Sequence, residues 1–593
     1  MLVIDTEVYK DYFLLCAKQL SDGKVRYFEL CADVALDRKA IASMMRSQTT
    51  ISFNGLNYDL PIITAAMLGW DNQALKRLSD KIIKSGYPSW KVCRDEGIAI
   101  PEAWDHIDLM DVSPGRVSLK IYGGRMHAPK LQDLPIAPED SIGVSLRSIM
   151  REYCINDLDT TEQLYRTLEK AIALRAEMSQ QYGMDLRSKS DAQIAETVIK
   201  SELTNMTGKE YQAPQLAENY TFRYLDPNIV TFKTPQLKKV FKAVLSELFC
   251  MGASGSVVMP AWLRNTKIEI GGASYQMGIG GLHSCESAQF IRCAEDEMLC
   301  DWDVASYYPN IILQQRLAPK SLGAPFLKVY QSIVERRLAA KKRGDKVVAD
   351  TLKIAVNGSF GKLGSKYSAL YAPDLLIQTT LTGQLALLML IERLEEVGVR
   401  VVSANTDGIV IHHKKHQSDT VQQIMWDWML DTSYPLECTN YAAIASRDVN
   451  NYIAVKHDGT TKGKGCFASG GLQKNPDQVI VYEAVAAYIA TGESIEKTIT
   501  QCGDITKFCT VRQVKGGAKW RGELLGKAVR FYLSTSVASD ECIHYNINNN
   551  RVPKSAGARP LMQLPDTFPD DVCYRSYLAA AEKLLCEVGY RDA

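Results

Sequence analysis

Six carboxylates and one tyrosine stand at spacings suited to metal-assisted chemistry on a phosphodiester. Near the N-terminus, Asp5 and Glu7 are separated by one residue in L-V-I-D-T-E, so an extended strand carries both on one face. Asp59 closes I-S-F-N-G-L-N-Y-D, in which an apolar strand start runs into Asn54. Tyr153 and Asp157, in Y-C-I-N-D, are i and i+4 on a helical pattern and share a face. Four anions do not converge without counter-charge, and a pair of divalent metals can hold both the attacking water and the leaving oxygen of a phosphodiester. Hard oxygen ligands select magnesium, with manganese as the alternative, and two ions are expected at such a centre. Taken singly, Asp59 and Asp157 read as helix caps and Tyr153 as a core residue; three such segments in order weigh against that reading. Asp159 is a rival ligand, but it lies on another helical face.

The other two carboxylates lie mid-chain. Asp303 opens D-V-A-S-Y-Y-P-N-I-I-L after apolar Met298-Leu299-Cys300, which places it where a strand leaves the core and faces a cleft. Asp301 precedes it on the same strand face. Asp407 sits in N-T-D-G within Val399 to His412, a pattern that predicts a β-hairpin with the polar quartet at its tip. Between them, K-x-x-x-N-G-x-F-G sets Lys353 and Asn357 at i and i+4, followed by Phe360 and Gly361. Gln331 to Arg343 is a basic amphipathic helix with Arg337 and Lys341 on one face, Gly344-Asp345 makes a turn, and Lys346 to Gly361 is a second helix. Alone, the first of these reads as a solvated basic helix.

In this order the motifs resemble the family B (alpha-like) DNA polymerases, of compact bacteriophage type. The resemblance implies an α/β multidomain chain: an RNase H-like DEDDy 3′–5′ exonuclease, then a right-hand polymerase of palm, fingers and thumb. It makes Asp5, Glu7, Asp59 and Asp157 the exonuclease metal ligands, Tyr153 the residue that orients or helps deprotonate water, and Asn54 a DNA contact. It makes Asp303 and Asp407 the polymerase metal ligands together with the Val304 carbonyl. Backbone N–H groups at Ser306 and Tyr307 then lie under the triphosphate, and Tyr308 becomes the steric gate that selects deoxynucleotides. The helix pair presents Arg337, Lys341, Lys353 and Asn357 to the triphosphate, and Phe360 and Gly361 to the nascent base pair. Tyr452, Lys462 and Lys464, in the hairpin about Asp458-Gly459, are expected to hold the primer strand. Gly280 and Gly281 resemble a template-binding glycine loop, although Tyr275 lies too far upstream for its tyrosine; a plain hairpin reads equally well. Two positions depart from the family pattern at motif C, where Asn405 replaces an aspartate and Gly408 a serine. Two more depart at motif B, where Gly358 and Phe360 replace serine and tyrosine.

The implied boundaries are an exonuclease over 1–175, a connector and N-terminal palm region over 176–299, and palm with motif A over 300–328. Fingers then take 329–370, palm with motif C and the lysine hairpin 371–465, and a thumb 466–593. The thumb expectation rests on Lys507, Arg512, Lys515, Lys519, Arg521, Lys527 and Arg530, interleaved with Trp520, Phe531 and Tyr532. About fifty positions separate Asp303 from Lys353, too few for the long insertion of protein-primed members, so a nucleic-acid primer is expected. Expected partners are primer–template DNA, deoxynucleoside triphosphates, and a helicase, primase or single-strand-binding protein. The alternative function is a DNA exonuclease carrying a non-catalytic, polymerase-like DNA-binding module.

The bulk numbers fit this frame. The 593 residues suggest about three to five domains, and 46% hydrophobic with 23% charged residues excludes a disordered chain. A formal net charge of +1 gives no global basic signature, but a polymerase separates basic tracks from acidic metal sites. Fifteen cysteines without a C-x-x-C pair indicate reduced thiols and a cytoplasmic setting, that of the host if the source is viral. His412, His413 and His416 lack a fourth ligand at zinc spacing. No membrane span is expected, and the chain is expected to start at the first exonuclease motif, as in compact mobile-element enzymes.

Overall fold

The computed structural model describes residues 1–468 and 470–590. These form two compact units. One comprises Met1–Ser190, Gly470–Val481 and Ile499–Tyr577; the other holds Asp191–Ser469, Tyr482–Thr498 and the C-terminal residues from Leu578.

The first unit is built on a five-stranded sheet of β1 (Leu2–Val8), β2 (Phe13–Gln19), β3 (Val25–Leu30), β4 (Thr50–Ser52) and β5 (His106–Asp108), in the order β3-β2-β1-β4-β5. β1 runs antiparallel to β2 and parallel to β4. The period-two alternation of β1 decides what each face meets. Leu2 and Ile4 join a core with Leu60, Ile62 and Ile63 of α1 (Asp59–Met67), whereas Val3 packs with Met150, Tyr153, Cys154 and Leu158 of α3 (Arg147–Tyr182). A short helix, α2 (Leu119–Arg125), also lies against α3. α3 is a single helix of 36 residues that absorbs both the Y-C-I-N-D segment and the helical pattern after it, and it ends at Gly183 with φ 63°.

The hairpin of Thr510–Trp520 and Glu523–Leu533 belongs to this unit too, unlike the separate block expected over 466–593. Main-chain bonding explains why. Leu131 N–H donates to the Met562 carbonyl at 2.7 Å, and Arg530, fully buried, donates to the carbonyls of Ala128 and Leu561, each at 2.8 Å. The basic track is correspondingly thinner than it reads. Arg530 is a structural cation, Arg512 pairs with Asp477, and Arg521 pairs with Glu541.

The second unit contains a ten-stranded sheet. Its strands are β6 (Lys267–Ile270), β7 (Ala273–Gln276), β8 (His283–Ser284), β9 (Gln289–Arg292), β10 (Glu297–Val304), β11 (Arg400–Asn405), β12 (Gly408–Lys414), β13 (Leu436–Asp448), β14 (Asn451–Lys456) and β15 (Thr461–Lys464). The order is β15-β14-β13-β10-β12-β11-β8-β7-β6, with β9 on β13. The core behind the sheet is a 24-residue helix, Pro373–Glu396. By length and composition it could cross a membrane, contrary to the expectation that no stretch could, but all of its leucines except Leu376 are buried within the unit and Trp428 donates to its Ala386 carbonyl at 2.8 Å.

The helix of residues 191–207, α4 (Asp191–Thr207), was expected to be a connector; it packs instead on the motif B helix. With α5 (Tyr307–Gln314) following β10, the predicted helix pair is α6 (Ala324–Arg343) and α7 (Lys346–Lys362), joined at Gly344 (φ 75°) and capped by the Asp345 side chain on Val348 N–H. Glu196 of α4 pairs with Lys362 at 2.9 Å, and Glu202 pairs with Arg336. A Cβ at Gly358 would stand 2.6 Å from the Asp191 carbonyl oxygen. The close packing of α4 therefore accounts for glycine at position 358. Gly358→Ser is expected to destabilise this unit by about 1–3 kcal/mol through overpacking, read as a lower midpoint in thermal unfolding.

Candidate active sites in the two units

In the first unit, Asp5 and Glu7 continue the Val3 face of β1 toward α3, which carries Tyr153 and Asp157 one turn apart. Thr6, on the opposite face, donates its hydroxyl to the Asp59 carboxylate at 2.6 Å and so fixes the first residue of α1 beneath the strand. The four predicted carboxylates converge. Burial pushes Asp5 well above the usual range, and the charges of Asp59, Glu7 and Asp157 add to the shift. Burial, then Asp157, raises Glu7 to about 8. Burial and the nearby Asp108 charge raise Asp59 to about 7, against the Thr6 hydrogen bond. Burial also raises Asp157, opposed by Lys120.

Lys120 was not foreseen. It projects from α2, forms an ion pair with Asp157 and stands 4.3 Å above the Tyr153 ring centroid. One cation against four carboxylates leaves the cluster short of positive charge. Asp5, Glu7 and Cys154 bring two oxygens and a sulfur within 4.8 Å of one another. The thiol donates to Asp5 at 3.5 Å, and burial holds it protonated, so the donors left for a cation are carboxylate oxygens. That set fits hard divalent ions. Burial and the Asp157 charge push the Tyr153 phenol far up, which suits it to donate a hydrogen bond rather than to take a proton. Asn54 has φ 70°, and its N–H and that of Leu56 donate to the two oxygens of Asp108, at 2.8 and 3.0 Å. Asp108, also unforeseen, thereby shapes the loop that leads into Asp59.

Because burial raises the carboxylates of Glu7 and Asp59, a divalent ion binding there would release protons. Magnesium or manganese affinity is expected to rise with pH between about 6 and 8, with roughly one to two protons released per protein at pH 7. Calorimetric titration in two buffers of different ionisation enthalpy reads the release directly.

In the second unit, β10 and β12 are neighbours with Asp303 opposite Gly408, and Val304 N–H donates to the Asp407 carbonyl at 2.7 Å. Asp303 and Asp407 are thus adjacent although about a hundred positions apart in sequence. Burial, then Asp301, then Asp407 after the opposing Lys462, raise Asp303 to about 6; burial also raises Asp407. A Cβ at Gly408 would lie 2.2 Å from the Asp303 Oδ1, so the serine usual in motif C does not fit here without moving that carboxylate. Lys462 Nζ is 4.0 Å from Asp303 and 3.0 Å from Asp301, and Lys464 stands near enough for the Asp407 charge to act on it. Tyr452 pairs in register with Lys464 and is half-buried. Glu437 of β13, which sequence reasoning passed over, stands opposite Asp303 on the neighbouring strand.

The helix pair brings Arg337 to Ser306, whose hydroxyl accepts from it at 3.1 Å; Ser306 itself has φ 51°. Tyr307 is buried, with its hydroxyl donating to the Gly383 carbonyl at 2.6 Å, so its side chain faces the core and only its backbone is left for the cleft. Tyr308 stacks on Phe360 with centroids 4.2 Å apart. Lys353, Asn357 and Gly361 line one exposed face of α7, and Lys341 is exposed on α6. Gly281 approaches the Thr406 side chain at the hairpin tip, where Thr406 N–H donates to the Leu282 carbonyl, and the Gly280 carbonyl accepts from Gln384 at 2.7 Å. The glycine loop therefore abuts motif C.

No family model matches the chain, and no curated protein matches it. Among solved structures, the family B DNA polymerase from the hyperthermophilic archaeon Pyrobaculum calidifontis is similar over 100% of this chain and 78% of that one, at 14% sequence identity and a TM-score of 0.41.

Proposed function

We propose that the chain is a template-directed DNA polymerase that adds deoxynucleoside triphosphates to a primer 3′ end and proofreads with a 3′–5′ exonuclease. The observation that carries this reading is the juxtaposition of Asp303, near the end of β10, with Asp407, in the turn that joins β11 to β12, beside Lys462 and Lys464 and with the Tyr308–Phe360 stack on the neighbouring helices. Two magnesium ions at such a centre supply charge stabilisation for in-line displacement at phosphorus. Asp303 and Asp407 would hold them, with Val304 lending its carbonyl. The lysines offer charge to the primer strand, and Arg337, Lys341, Lys353 and Asn357 offer donors to the triphosphate. Tyr308 restricts the sugar pocket and favours deoxynucleotides.

In the other unit, Asp5, Glu7, Asp59 and Asp157 would hold the ions of the exonuclease, Tyr153 would orient water, and Lys120 supplies one positive charge beside Asp157. The DEDDy assignment, a compact bacteriophage-type origin, a host-cytoplasmic setting and replication partners belong to the same proposal. Incubation of the protein with primed template, magnesium and deoxynucleotides, with and without nucleotide, tests it: extension with nucleotide and digestion without it are expected. Digestion without extension would favour a nuclease with a DNA-binding module, and ribonucleotide incorporation would overturn the deoxynucleotide assignment.

A further inference from the structure

Asp301 is the strongest candidate for a role that neither centre has yet absorbed. It lies on the same face of β10 as Asp303, one step deeper, and is buried where Asp303 is exposed. Its Oδ2 accepts from the Tyr441 hydroxyl at 2.6 Å and from Lys462 Nζ at 3.0 Å. Tyr441 is fully buried on β13, and Lys462 lies on edge strand β15, so one carboxylate oxygen ties together two strands that do not pair with each other. A lysine on an edge strand is otherwise free to swing into solvent. Here its ammonium is tethered to the buried Asp301, 4.0 Å from Asp303, while the lysine side chain stays partly exposed and keeps N–H donors to spare.

We propose that Asp301 is a positioning residue, which holds the Lys462 ammonium beside Asp303 for a phosphate of the bound DNA strand; this rests on the polymerase reading above. A buried carboxylate is suited to the task because a hydrogen bond to a charged group is stronger and shorter than a neutral one. Tyr441 fills a lone pair on the same oxygen, which fixes the carboxylate before the lysine arrives.

The sign of the effect separates positioning from plain electrostatics. Removing a negative charge next to DNA should by itself tighten binding. Asp301→Asn is instead expected to weaken primer–template binding by about fivefold, measured by fluorescence anisotropy with calcium present, and to lower kcat/KM for extension by about tenfold, mainly through KM for primer–template. Lys462→Ala should show the same loss, and Asp301→Asn added to it should cost nothing further. Lys462→Arg should recover most of the binding. Tyr441→Phe, which keeps all charges, should weaken binding by about twofold and guards against a folding defect in the asparagine variant. Unchanged or tighter binding by Asp301→Asn, or losses that multiply with Lys462→Ala, would overturn the inference. A wild-type protein that binds primer–template but does not extend it overturns the polymerase reading, and the binding measurements still decide the part played by Asp301.

Discussion

Asp407→Ala is expected to lower primer extension by on the order of 10³-fold or more while leaving digestion of the same primer within about twofold of wild type. The size follows from the poverty of the centre. Where the family pattern offers two aspartates in motif C, this chain offers Asn405 and Asp407. Asn405 is a neutral amide whose side-chain oxygen accepts from the Thr406 hydroxyl. Asp407 is thus the only carboxylate that the hairpin tip contributes opposite Asp303. The bond that pins this turn to β10 runs from Val304 N–H to the Asp407 backbone carbonyl, so it survives removal of the side chain. Its carboxylate is raised by burial, so its removal relieves a desolvated charge, and the melting temperature should stay the same or rise. Extension by Asp407→Ala within tenfold of wild type would place the nucleotidyl-transfer centre elsewhere.

The residues legible in sequence are those whose neighbours along the chain already fix their direction. A strand alternation sets Asp5 with Glu7, a helical turn sets Tyr153 with Asp157 and Lys353 with Asn357, and a hairpin tip presents Asp407. What escaped is what only packing brings near. Lys120 reaches Asp157 from another helix, Asp108 ties down the Asn54 loop from the far edge of the sheet, and Glu437 meets Asp303 only through strand order. No spacing rule links such pairs.

The departures from family pattern read differently once volumes are known. Gly358 and Gly408 looked like lost hydroxyls; both sit where a Cβ would collide, one with the α4 backbone and one with the Asp303 carboxylate. The places of α4 and of the C-terminal hairpin depend on contacts of the same distant kind, since Glu196, Glu202 and Arg530 each find their partners far along the chain.

Asp5→Ala should give the mirror result, loss of digestion by on the order of 10³-fold with extension retained. It should also change how the metal-free protein responds to pH. Carboxylates raised by burial and mutual repulsion, such as Glu7 at about 8 against 4.5 ordinarily, bind more protons folded than unfolded. Their contribution to stability is therefore present in full at low pH and is lost as pH rises from about 4.5 toward 8, the opposite of an ion-paired aspartate. In chelator, the melting temperature of the wild-type unit that holds this cluster is expected to fall across this window. Asp5 is itself raised well above the usual range by burial and by Asp59, Glu7 and Asp157, so its removal takes away one group whose ionisation costs stability at high pH, and the variant should lose less and melt on the order of 5 °C higher at pH 8. Scanning calorimetry at pH 5 and pH 8 in chelator reads both effects. A variant that melts lower than wild type at pH 8, or that loses extension together with digestion, would mean that Asp5 supports the fold rather than a separate nuclease centre.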